Sequence, residues 1–288
     1  MLLINGKEIS EIIINELKNK VGNFKSKNIV PAINIYQIGD NSASSIYVKN
    51  KKKLCERLGV ECNILKLENN IDESTLINLI EKDNENKAIN GILVQLPLPN
   101  HINENKVIET ISPNKDVDCF NELNVGKLWC AKKNFNVIKP CTPYGVIQML
   151  KYSNIKLSGK NVTIIGRSNI VGKPLAALFL LEGSTPTICH SGTINLQEIC
   201  QRSDILVAAI GKPKFVTNDF TNPNQVIIDV GINRDQEGKI CGDVDFDNVK
   251  DNVYAISPVP GGVGPMTIAM LLNNLLIATE LQNESINF

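Results

Sequence analysis

The chain has 288 residues, 43% hydrophobic, 21% charged and 5% aromatic, and its thirty basic residues are balanced by thirty acidic ones. That length allows two domains with real cores, and zero net charge with so few aromatic residues excludes a nucleic-acid surface built on basic charge and stacking. No apolar run is expected to span a membrane, the N-terminus MLLINGKEIS has neither the basic start nor the cleavage site of a signal peptide, and eight cysteines without regular spacing are expected as reduced thiols of a cytoplasmic protein.

In chain order, KEISEIIINELKNKVGNF reads as an amphipathic helix and PAINIYQIG as a short strand. A second helix follows over residues 43–58, ended by Gly59 at the position of a C-cap. At about 100° per residue its Ala43, Tyr47, Leu54, Cys55 and Leu58 share one stripe, and Lys51 falls in the middle of it. Lys49, Lys52, Lys53 and Glu56 fall on the opposite, solvated side. Read alone, Lys51 is explained by a stem laid along the stripe with its ammonium reaching water. ECNILKLE is then a strand, DESTLINLIEKDNEN a helix, AINGILVQLPLP a buried strand, and SPNKDVDCFNELNVGKLW an irregular polar stretch. PCTPYGVIQMLKYSN suits a helix with Pro143 in its first turn.

A second βα rhythm runs through KNVTIIG, GKPLAALFLLEG, TPTICHS, LQEICQRS, DILVAAIG and QVIIDVGIN, and VPGGVGPMTIAMLLNNLLIATELQ closes the chain as a glycine-rich loop and long apolar helix. Alternation of this kind implies crossover connections and mostly parallel sheets. The expected architecture is two α/β domains with a cleft between them: residues 1–141 plus 266–288, and residues 142–265 as a doubly wound, Rossmann-like nucleotide-binding domain.

In VTIIGRSNIVGKP a strand runs into Gly166, and Gly172 and Pro174 open the next helix, the layout that holds a pyrophosphate on a helix N-terminus. The spacing departs from G-x-G-x-x-G, and an ordinary βα turn remains an alternative. The next strand ends in His190 and Ser191 where an NAD site places an acid for the ribose. A missing carboxylate and Arg167 in the first loop together suit the 2′-phosphate of NADP, for which a guanidinium is a forked donor. Gln95 interrupts GILVQLPLP at the strand end, the edge where open α/β sheets bind ligands, and Asp118 lies in the loop NKDVDCF. Singly, either could instead satisfy a loop backbone or cap a turn. Only His101 and His190 could supply imidazole, and no metal is expected.

SASSIYVKNKKK, GILVQLPLP, SPNKDVDCF, PCTPYGV, GRSNIVGKP, CHSGT, DILVAAIGKPKFV, IIDVGIN, GDVDF and SPVPGGVGPMT stand in the order found in the bifunctional methylene-tetrahydrofolate dehydrogenase/methenyl-tetrahydrofolate cyclohydrolase family, which the chain resembles over roughly residues 30 to 280. The resemblance implies NADP-dependent oxidation of methylene- to methenyl-tetrahydrofolate and hydrolysis of the product to formyl-tetrahydrofolate. A dehydrogenase lacking the second step is the alternative. It implies Tyr47, Lys51, Gln95, Asp118 and Gly262 at the folate, the first four with catalytic roles, and Gly166, Arg167, Ser168, Ser191 and Ile232 at the cofactor. It also implies tetrahydrofolate derivatives as partners and a homodimer joined through the nucleotide-binding domains. One residue departs from the pattern: Cys119 stands after Asp118 where the family usually has glycine, so a backbone angle that glycine takes easily would be strained here.

Overall fold

The computed structural model describes residues 1–40, 42–132 and 137–284. In chain order its elements are β1 (Leu2–Leu3), α1 (Gly6–Ser26), β2 (Ala32–Ile38), α2 (Ser42–Leu58), β3 (Glu61–Leu67), α3 (Glu73–Glu85), β4 (Gly91–Val94), α4 (Glu104–Thr110), α5 (Glu122–Cys130) and α6 (Cys141–Tyr152). There follow β5 (Asn161–Ile165), α7 (Gly172–Leu181), β6 (Thr185–Cys189), α8 (Leu196–Gln201), β7 (Ile205–Ala208), β8 (Val226–Asp229), β9 (Asn233–Arg234), β10 (Ile240–Cys241), α9 (Phe246–Val249), β11 (Ala255–Ile256) and α10 (Val263–Glu284).

The chain divides into two compact units. One comprises Ile13–Lys127, Asn136–Lys139 and Leu271–Phe288, and the other Met1–Ile12, Leu128–Phe135 and Pro140–Met270. In the first, a parallel sheet of order β3-β2-β4 carries a continuously buried central strand, AINIYQI, as expected of a strand covered on both faces. Gly91 opens β4 because the site has no room for a side chain: a Cβ there would lie 2.7 Å from Val117 and 2.8 Å from Leu275 of α10. Asn274, fully buried on the same helix, donates to the carbonyls of Val117 (2.8 Å) and Lys139 (2.6 Å). The second half of α10 is thus a core element of this unit.

The other unit holds a six-stranded parallel sheet of order β1-β11-β8-β7-β5-β6, with Ile165, Leu206, Ala208, Ile227 and Ile256 in its core. The doubly wound α/β architecture agrees with the sequence expectation.

Three features differ from that expectation. Helices α4 and α5 occupy segments without a legible stripe, and α5 replaces part of the stretch expected to be irregular. It forms because Leu128 finds complete burial, which outweighs Asn124 and Gly126 as poor helix formers. The two-residue strands β1, β9, β10 and β11 are too short to show a period of two. Finally, α10 is long and apolar enough to cross a membrane, against the expectation that no such run exists; 67% of that stretch is buried within the protein, as befits a core helix.

Candidate active site

Helix α2 places its lysines as its periodicity requires. Lys51 is only 6% exposed, whereas Lys49, Lys52 and Lys53 are exposed. Lys51 Nζ donates to Gln95 Oε1 at 3.0 Å. Gln95 follows the last residue of β4; its backbone N–H donates to the carbonyl of Tyr36 on β2, and its Nε2 donates to the carbonyl of Leu96 at 2.9 Å. The Leu96 contact fixes the amide's orientation, so its oxygen must face Lys51. An amide, unlike a carboxylate, does not demand an ammonium partner: a neutral amine makes the same bond and keeps its lone pair free. Tyr47, half-buried one turn before Lys51 on the same stripe, has its phenol pushed above the usual range by burial.

Asp118 reaches the same edge of this sheet by another route. A parallel bridge pairs Ile92 with Asp116, with Ile92 N–H donating to the carbonyl of Lys115 at 2.7 Å, so that Asp118 comes two residues further along the direction of β4. Asp116 is buried, and its carboxylate accepts from Asn121 N–H (2.9 Å) and Asn124 Nδ2 (3.1 Å), which folds the loop back on itself. Burial pushes the Asp116 carboxyl up against those hydrogen bonds. Cys119 has φ of +61°, the left-handed angle that glycine takes easily, and its thiol donates to the carbonyl of Ile138 at 3.3 Å.

The dinucleotide side is built mainly from backbone. Gly166 ends β5 with φ of +129°, and a Cβ there would lie 2.2 Å from the carbonyl oxygen of Ala209. A Cβ on Gly172 would lie 2.0 Å from the carbonyl oxygen of Gly166, so this glycine lets α7 start directly against the strand end. Ser168 Oγ accepts from the N–H groups of Val171 (3.1 Å) and Gly172 (3.4 Å), tying the loop to the helix. Arg167 is exposed, and so is Ser191 in the adjoining loop after β6, which is joined to the first by Gly166 N–H donating to the carbonyl of Cys189. Ile232 is 52% exposed beyond β8. Gly262 lies in this same unit, where a Cβ would meet the carbonyl of Pro258 at 2.4 Å. The glycine cradle, the helix start and the exposed guanidinium fit a phosphorylated dinucleotide.

The model of the tetrahydrofolate dehydrogenase/cyclohydrolase catalytic domain matches residues 4–118, and that of the NAD(P)-binding domain matches residues 140–283. The chain belongs to this family. The bifunctional protein FolD of Lachnoclostridium phytofermentans is 52% identical over 279 residues, 97% of this chain and 98% of the relative, and that of Agathobacter rectalis is 50% identical over 278 residues, 96% and 99% of the two chains. The crystal structure of the bifunctional enzyme from Campylobacter jejuni superposes with a TM-score of 0.94 at 43% identity, covering 98% of this chain and 99% of that one. A Trypanosoma brucei methylenetetrahydrofolate dehydrogenase-cyclohydrolase, complexed with NADP cofactor and inhibitor, gives 0.93 at 33% identity and covers 100% and 99%. The family member described here is an enzyme, a dehydrogenase and a cyclohydrolase of folate one-carbon units in one two-domain α/β chain.

Two residues escaped the sequence reading although their motifs were in view. Asp229, at the end of β8, accepts from the N–H groups of Gly231, Asp243 and Val244, each at 2.9 Å. Asp243 accepts from Ile210 (2.7 Å), Gly211 (3.1 Å), Lys212 (2.8 Å) and Asn233 Nδ2 (2.9 Å). Together the two buried carboxylates hold the loops after β7 and β8, including the neighbourhood of Ile232. Burial, outweighing the three donors, pushes the Asp229 carboxyl up to about 7. The legible signal was an acid closing the apolar strand VIID.

Proposed function

We propose that Lys51 is the base of the cyclohydrolase step, with Gln95 orienting it and Tyr47 and Asp118 positioning the folate. The observation that carries this reading is the buried Lys51 amine on a neutral amide at the sheet edge. Tyr47 stacks on the aminobenzoyl ring, and the Asp118 carboxylate accepts from the amino-pyrimidine edge of the pterin. Oxidation of the methylene carbon leaves a methenyl cation whose charge is spread over two nitrogens, a step that needs alignment more than a base. Hydrolysis then adds water and opens the ring, and both events move protons. Lys51 moves the proton of the attacking water, while its bond to Gln95 keeps the amine aimed.

The cofactor is NADP, which when bound supplies the hydride acceptor. Gly166 and Ser168 shape the loop that holds its phosphates, Arg167 and Ser191 take the 2′-phosphate, and Ile232 lies on the nicotinamide side. The unit built on the β3-β2-β4 sheet, Ile13–Lys127 with the second half of α10, is the folate domain, and the unit built on the six-stranded sheet, which also takes Met1–Ile12 and α10 as far as Met270, is the dinucleotide domain; the boundaries expected at residues 1–141 plus 266–288 and 142–265 shift accordingly. The enzyme works in the cytoplasm as a homodimer joined through its dinucleotide domains, with no nucleic-acid or membrane partner.

The test is hydrolysis of methenyl-tetrahydrofolate supplied alone. Lys51→Met should lose it, and Lys52→Met, altered on the exposed face, should keep it. Equal rates for the two variants would overturn the assignment.

A further inference from the structure

Lys173, the second residue of α7, stands where elementary electrostatics disfavours it. The first turn of a helix carries the positive end of its dipole and its unpaired N–H groups, so acids are favoured there and cations are not. The first turn of α7 has no acid, and neither does the loop GRSNIVG that leads into it. The lysine's backbone N–H donates to the carbonyl of Ser168 at 3.1 Å, and its exposed side chain reaches back along the same loop, where Nζ donates to Asn169 Oδ1 at 2.7 Å. That partner is an amide, so the bond aims the ammonium without neutralising it. A helix start, Arg167 and an aimed lysine thus gather positive charge on one loop whose sequence offers no carboxylate. Local rules are broken in this way where a function needs it.

We propose that Lys173 is a second cationic contact for the cofactor, taking the diphosphate bridge of NADP as Arg167 takes the 2′-phosphate, with Asn169 as the residue that positions it. A dinucleotide of this kind brings two separate anionic groups: the 2′-phosphate, present in NADP and absent from NAD, and the diphosphate that both cofactors share. Arg167 serves the first. The second meets the start of α7, which lies directly against the end of β5 because Gly172 has no side chain: a Cβ there would be 2.0 Å from the carbonyl oxygen of Gly166. Backbone N–H groups supply only partial charges, and a full ammonium beside them adds a charge-assisted contact. Side chains on a helix lean toward its N-terminus, so a lysine at the second position delivers its Nζ over the loop and not away from it. Lys173 therefore raises affinity for both cofactors alike, and Arg167 sets the preference between them. The inference rests on the reading of the loop from Gly166 to Ser168 as the one that holds the cofactor's phosphates.

The full-length enzyme and its Lys173→Met, Lys173→Arg, Asn169→Ala and Arg167→Ala variants are titrated calorimetrically with NADP⁺, with NAD⁺ and with 2′-AMP, which carries a 2′-phosphate and no diphosphate, and each is melted without ligand. Lys173→Met should weaken NADP⁺ and NAD⁺ by one common factor, roughly three- to tenfold for a charge pair at an exposed site, and leave 2′-AMP unchanged. Asn169→Ala should give the same pattern at smaller size, and Lys173→Arg should keep the affinity for both dinucleotides. Free of ligand, Lys173→Met should melt no lower than the parent, because it removes a cation from the positive end of a helix. Unchanged binding of both dinucleotides, or a loss confined to NADP⁺ and 2′-AMP, would overturn the diphosphate contact. A lowered melting temperature of the free variant would overturn it too, by making Lys173 a residue of the fold. Failure of the loop reading itself looks different: Arg167→Ala as well as Lys173→Met would then leave all three affinities intact.

Discussion

Around Lys51 the proposed working groups are side chains projected from regular elements, a lysine from a helix face and a glutamine from a strand end; around Gly166 the proposed cofactor site is made of backbone surfaces brought together by loops. The difference has an energetic origin. A side chain on a packed helix is aimed by the helix and can be exchanged without moving it, whereas a loop keeps its shape only while each of its buried N–H groups has an acceptor. Substitutions near Lys51 should therefore change chemistry with little loss of stability, and those in the dinucleotide unit should change stability and cofactor binding together.

The sharpest way to break this contrast is Asp243→Ala. It strips the acceptor from three backbone N–H groups and one amide. Each deserted donor that water cannot reach costs roughly 1–3 kcal/mol, so the unit should lose about 2–4 kcal/mol in all. Chemical denaturation would show it, and an unchanged midpoint would contradict the clamp.

Arg167→Ala should weaken NADP⁺ by about 1.5–3 kcal/mol, one charge-assisted contact, and NAD⁺ far less. Binding measured by titration calorimetry decides it, and equal loss for both cofactors would remove the guanidinium from the 2′-phosphate.

Asp229 adds a pH dependence whose sign follows from its protons. Its carboxyl is raised by burial from 3.8 to about 7 in the folded protein. Between about pH 4 and pH 7 the unfolded chain has released this proton and the folded chain retains it, so folding takes up a proton and stability from this group falls as pH rises through that window. Melting temperatures of the parent minus those of Asp229→Asn should decline from about pH 4.5 to pH 7 and level off above.

The smallest effect concerns Cys119. At φ of +61° a Cβ is strained by roughly 1 kcal/mol, so Cys119→Gly should be more stable than Cys119→Ala by about that amount, the reverse of the usual order. Both variants lose the thiol's bond to Ile138, so that bond cancels from their difference.

The same contrast explains what could be read beforehand. The inward turn of Lys51 follows from residue spacing on one helix, and its 6% exposure matches that stripe. The βα rhythm similarly announced two parallel sheets, because buried strands flanked by turn residues are written locally. The Asp229–Asp243 clamp was not legible. Its donors come from segments spread over some thirty residues, and nothing in VIIDVGIN or GDVDF alone says that the two acids serve neighbouring loops. Asn274 was hidden for a related reason: an asparagine within an apolar helix looks like an interruption until the carbonyls of Val117 and Lys139 lie opposite it. Helices α4 and α5 were missed because one has 7 residues and the other 9, too few turns to establish a stripe.

The most direct measurement mixes Lys51→Met with methylene-tetrahydrofolate and NADP⁺ and follows reduced cofactor, methenyl- and formyl-tetrahydrofolate together in one time course. If Lys51 serves proton transfer to and from water and not hydride transfer, reduced cofactor should still form and methenyl-tetrahydrofolate should accumulate in equal amount, with formyl-tetrahydrofolate held to the uncatalysed rate. A parallel fall of reduced cofactor and formyl-tetrahydrofolate, with folate binding intact and no methenyl intermediate building up, would contradict it.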